Sequence, residues 1–144
     1  VYCSRSYVKN ADCIMDFIKL TLSELKSSNP DVGISDPDYC CIIYPNDDYR
    51  ESNIFIEYAQ SVDRIGKETA ILKFKEMEAI TAVSVMHHGK YDNLRDAYLF
   101  AVNWARENGY VLCGEPRERY IHGAWDKKDE KEWVTELQLP VKEK

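Results

Sequence analysis

The run Trp133-Val134-Thr135-Glu136-Leu137-Gln138-Leu139-Pro140-Val141 sets an acid in the middle of a largely apolar strand. Strict alternation puts Trp133, Thr135, Leu137 and Leu139 on one face, and Val134, Glu136 and Gln138 on the other. A strand of this composition is half buried or more. A carboxylate inside it is costly unless something satisfies it. A local conflict of that kind marks a candidate functional position.

Working back from this strand, residues 117–123 read as its partner and residues 126–131 as a charged turn between them. Residues 79–86 read as a further strand, broken by Gly89-Lys90-Tyr91-Asp92. Asp92 can cap a helix running to Asn108, with an apolar stripe of Leu94, Tyr98, Ala101, Val102 and Ala105. Asn108-Gly109 is a helix stop.

The first half repeats this plan. Residues 1–8 form a strand, and Asn10 or Asp12 opens a helix to Ser27 with the stripe Ile14, Phe17, Ile18, Leu22 and Leu25. Asn29-Pro30 stops it, and a loop rich in Gly, Pro and Asp runs to Asp38. Residues 39–44 form a strand, Pro45-Asn46-Asp47-Asp48 a turn, and residues 53–60 a second strand. Residues 69–74 read as an added edge strand or a hairpin arm.

The two halves also agree in spacing. Gly33 precedes Tyr44 by eleven residues, and Gly109 precedes Tyr120 by eleven. Ile56-Glu57 stands before Val62 as Thr135-Glu136 stands before Val141. The expected fold class is α+β: duplicated strand–helix–strand–strand units in an antiparallel sheet, two helices on one face, and a ligand cleft at the pseudo-twofold axis. Residues 1–144 are read as a single domain.

A chain of 144 residues, 44% hydrophobic and 31% charged, suits one ordinary globular domain. No apolar run is long enough to span a membrane, and no signal-peptide pattern opens the chain. The cysteine usage, odd in number and without a CxxC pair, gives a reducing cytoplasm as the expected setting. A net charge of -6 argues against this segment gripping a nucleic-acid backbone and suits a cationic partner. The five cysteines are odd in number and lack a CxxC pair, so neither a disulfide framework nor a structural metal site is expected. His87 and His88 are adjacent, so they point apart in a strand and make a poor metal pair. No cofactor motif and no nucleophile constellation occurs.

Alternation places Glu57 with Phe55 and Ala59, Glu136 with Val134 and Gln138, Tyr44 with Ile42 and Cys40, and Tyr120 with Glu118 and His122. An acid bordered by aromatic rings is a receptor for a flat apolar cation, the carboxylate supplying charge and the rings supplying stacking area. The candidate ligand-binding residues are Glu136, Tyr120, Tyr44, Glu57, Phe55 and Val134.

Several motifs carry a family resemblance. They are Asp36-Pro37 leading to Tyr44, Tyr49-Arg50-Glu51, Ile54-Phe55-Ile56-Glu57, His88-Gly89-Lys90-Tyr91, Trp104, Glu107-Asn108-Gly109, Glu118-Arg119-Tyr120 and the run from Thr135 to Val141. In this order and spacing the chain resembles the GyrI-like effector-binding domain, also called the BmrR-type or AraC-type bacterial transcription activator effector-binding domain. The resemblance implies a duplicated α+β module that binds small aromatic, often cationic, molecules, with Glu136 at the pocket base and tyrosines around it. It implies a module that either stands alone or is cut from a transcription regulator whose DNA-binding segment lies outside this chain, and the start at Val1 rather than Met agrees with an excised piece. It also admits two other functions. One is a hydrolase of reactive natural products with Glu136 as general acid/base. The other is a gyrase-inhibitor-like module that binds a protein.

Overall fold

The computed structural model describes residues 1–45, 53–91, 94–123 and 125–144. Its chain divides into two compact units, Val1–Glu78 and Ala79–Lys144. The expected turn over Asn46-Asp47-Asp48, the motif Tyr49-Arg50-Glu51 and the helix cap Asp92 lie outside the described residues.

The first unit is built as β1 (Tyr2–Val8), α1 (Ile14–Ser28), β2 (Cys40–Ile43), β3 (Ile54–Gln60) and a short β4 (Lys73–Phe74). Its strands are antiparallel in the order β4–β1–β3–β2. Helix α1 buries Ile14, Ile18, Thr21 and Leu25. Thr21 takes a stripe position that apolar periodicity alone does not find. Its hydroxyl donates to the Ile18 carbonyl at 2.8 Å and pairs with the Tyr2 hydroxyl at 3.1 Å, so a buried polar group is satisfied twice. The helix ends at Asn29, whose N–H returns to the Leu25 carbonyl, ahead of Pro30. The Asn29 side chain then clamps Lys67, accepting from its N–H at 2.6 Å and donating to its carbonyl at 3.0 Å. Gly66 is required beside this clamp, because an added Cβ would meet Asn29 Oδ1 at 2.5 Å.

Residues 69–74 form a strand only at Lys73–Phe74. Upstream, the Thr69 hydroxyl accepts from Leu72 N–H, and Thr69 N–H donates to the Leu72 carbonyl. That closed turn takes up the backbone groups an edge strand needs.

The second unit repeats the plan as β5 (Ala82–His88), α2 (Leu94–Glu107), β6 (Tyr110–Leu112), β7 (Arg117–His122) and β8 (Val134–Glu143). β8 lies between β7 and β5, and β6 pairs with its far end, all antiparallel. β3 is central in the first unit as β8 is in the second, as the duplication requires. β6 was not foreseen: three residues after a helix stop are too few for alternation to show. Gly109 at φ 81 turns the chain out of α2 in the left-handed region that favours glycine. Helix α2 seats Ala101 on Leu137 and Leu139 of β8, with Val83, Val85, Ala97, Tyr98 and Val102 packed around them. Both units thus carry the α+β strand–helix–strand–strand architecture.

Leu137 is fully buried at the centre of this cluster. Leu137→Ala should lower stability by about 2–5 kcal/mol, since the helix and strand can only partly collapse on the gap. Urea unfolding checks it as a fall in midpoint at constant slope.

Candidate functional site

The pairing of β7 with β8 decides which side chains meet. Glu118 lies opposite Leu137 and Tyr120 opposite Thr135, on the face that α2 covers. Arg119 lies opposite Glu136 and Arg117 opposite Gln138, on the other face. Tyr120 and Glu136, both foreseen as ligand contacts, therefore stand on opposite faces of this sheet. A bulge between Tyr120 and His122 brings His122 opposite Val134, so His122 leaves the face of Tyr120 on which simple alternation puts it.

Under α2, Glu118 is the focus of an aromatic cluster. It is 4% exposed. Tyr98 of α2 donates to its Oε1 at 3.3 Å, and Tyr120 donates to its Oε2 at 2.9 Å. Tyr91 meets Tyr120 edge to face at 5.7 Å between centroids and stacks on Trp133 at 5.4 Å. Trp133 is fixed by its indole N–H, which donates to the Lys127 carbonyl at 3.1 Å. Burial, and then the negative charge of Glu118, push the Tyr91 hydroxyl above its ordinary pKa. Among the described residues, the Thr135 Oγ1 beside Tyr120 is buried without a hydrogen-bond partner. Glu118 is thus a buried acid held by two phenol hydroxyls, with Tyr91 and Trp133 stacked beyond Tyr120.

A family profile described as "GyrI-like small molecule binding domain" matches residues 10–142. The chain belongs to this family. It is similar to the solved EcmrR C-terminal domain at 38% identity and a TM-score of 0.94, over 99% of this chain and 90% of that one. The same identity and TM-score hold against EcmrR in the cryo-EM structure of the EcmrR–DNA complex in EcmrR-RPo, where this chain covers 53% of the other, about half its length. An uncharacterized conserved protein from Listeria innocua, 16% identical with a TM-score of 0.63 over 98% of this chain and 87% of its own, shares the fold. No curated protein matches the chain.

In this GyrI-like chain the other foreseen residues are held differently. Glu136 accepts from Ser84 Oγ at 2.6 Å and Gln138 Nε2 at 2.9 Å, and pairs with Arg119 at 3.4 Å. Val134 begins β8 on that same face. In the first unit Glu57 shares a face with Phe55 and Ala59, as alternation requires, and Phe55 packs against Tyr7 at 4.8 Å. Tyr44 is half-buried just past the end of β2. Sequence reasoning missed Glu118, Tyr91, Tyr98 and Trp133 as a group. A signal for the first was present, because Glu118 and Tyr120 are two residues apart on one strand.

Glu57 of the GyrI-like fold is 2% exposed. Arg5 Nε lies at 2.7 Å from one carboxylate oxygen and Lys75 Nζ at 2.6 Å from the other. Burial pushes this carboxyl up, but the hydrogen bonds and charges of Arg5 and Lys75 outweigh it and hold it below the ordinary 4.5. A depressed folded-state pKa contributes stability that is present above the unfolded value and lost as pH falls through the folded one. Urea unfolding from about pH 7 to about pH 3 should therefore show the wild type losing stability that Glu57→Gln never had, the two converging at the acid end.

Proposed function

We propose that this chain is the ligand-sensing module of a transcription regulator, and that it binds an aromatic cation over Glu118. The observation that carries this reading is the buried Glu118 carboxylate, 4% exposed, inside the cluster of Tyr91, Tyr98, Tyr120 and Trp133. Flat rings offer their faces to a delocalised cation, and the recessed carboxylate supplies attraction that water screens weakly at that depth. The two phenol hydroxyls keep the carboxylate hydrogen-bonded before a ligand arrives, so its burial needs no bound cation.

Of the foreseen contacts, Tyr120 belongs to this proposed site. Glu136 is paired with Arg119, and Glu57 with Arg5 and Lys75.

Similarity to EcmrR, solved in complex with DNA, supports the regulator part of the reading. The net charge of -6 fits a module that leaves DNA contact to a segment outside this chain. A bacterial cytoplasmic setting goes with such a regulator. Among the described residues, no helix is long and apolar enough to cross a membrane.

Calorimetric titration with a matched pair of ligands, one cationic and one neutral aromatic, tests the assignment. Glu118→Gln should cost the cation roughly 1–3 kcal/mol and leave the neutral ligand nearly unchanged. Trp133→Ala should weaken both, and Glu136→Gln neither. Equal losses for both ligands in Glu118→Gln would make that acid structural and overturn the mechanism.

A further inference from the structure

The second unit holds a cavity of about 250 Å³ on the α2 face, away from Glu118. Its walls are residues 81–85 at the start of β5, Thr81 and Ser84 among them, with Val141 of β8, Phe100 and Trp104 of α2, and Tyr110 of β6. Helix α2 lies over β8. Tyr98 leans towards β7 and the acid, while Phe100 and Trp104, one turn apart, overhang the start of β5. Among the described residues, no charged side chain lines this space.

We propose that this cavity is a second ligand site, taking a neutral aromatic molecule of two fused rings. Three observations converge on that class. The first is size: a cavity of roughly 150 Å³ lined by apolar side chains accepts a single benzene ring, so this one has room for a second. The second is its wall. Trp104 and Tyr110 are stacked at 6.0 Å and 16°, so the flat surface exists before any ligand binds and little ordering is left to be done. The third is exposure. Phe100 is 62% and Trp104 41% exposed, an unusual amount of aromatic surface to leave in water at the mouth of a concave site. A charged ligand finds no counter-charge on these walls and would lose its hydration on entering. The site therefore selects neutral rings, where the Glu118 cluster favours cations.

The test is a titration of the ¹⁵N-labelled chain with indole, read residue by residue. Indole should move the amides of Val83 and Val85 and the ring N–H of Trp104 in a saturable way. Val83→Trp fills the cavity and should abolish those shifts. Phe100→Ala removes one wall at an exposed position that folding does not depend on. It should weaken binding by about tenfold, the scale of one lost aromatic contact. An N-methylquinolinium ion, flat and of similar size but charged, should leave the same signals in place. Movement at Trp133 without movement at Trp104 would put indole at the Glu118 cluster instead and sink the proposal. So would unchanged indole affinity in Phe100→Ala, or quinolinium shifts as large as those of indole.

Discussion

The register of β7 on β8 is the constraint from which the chemistry of the second unit follows. Side chains along a strand alternate between faces, so a slip of one residue would exchange every one of them. With Tyr120 opposite Thr135, Glu118 is carried under α2 and Arg119 is delivered to Glu136 on the far side. Leu137 and Leu139 hold that register by burying themselves against Ala101, and β5 fixes the other edge of β8 in the same way. The bulge after Tyr120 ends the pattern there, before it can bring His122 beside the acid.

Among the described residues, two buried carboxylates are held by two different means. Glu57 is clamped between a guanidinium and an ammonium group, at contact distances where charge-assisted bonds are short and strong. Arg5 and Lys75 remain partly exposed, which spares each of them most of the desolvation a fully buried ion pair suffers. Glu118 instead accepts from two tyrosine hydroxyls inside an aromatic ring cluster. The first arrangement locks strand β1 to strand β3. The second surrounds a carboxylate with faces suited to a ligand.

Much of the fold was legible in the sequence. The stripes of both helices, their stops at Asn29 and Gly109, the central strands and the duplication appear where periodicity and spacing put them. The exceptions have local causes. Thr69 turns its own backbone out of an edge strand, Thr21 is buried because Tyr2 offers it a hydroxyl, and β6 is too short to alternate. The candidate site was harder to see. Alternation assigns Glu118 and Tyr120 to one face of their strand and Glu136 to one face of its own. It does not say which of those faces coincide, because that depends on pairing between strands. Tyr91 and Trp133 are brought together by the approach to α2 and by the turn before β8, which leave no periodic trace.

Within each duplicated unit, the residue two before the matched tyrosine occupies the same place on the strand. In the first unit it is Ile42, fully buried, and in the second it is Glu118. Copying the scaffold thus did not copy the charge. A cation drawn to that acid would bind with a stoichiometry of one per chain.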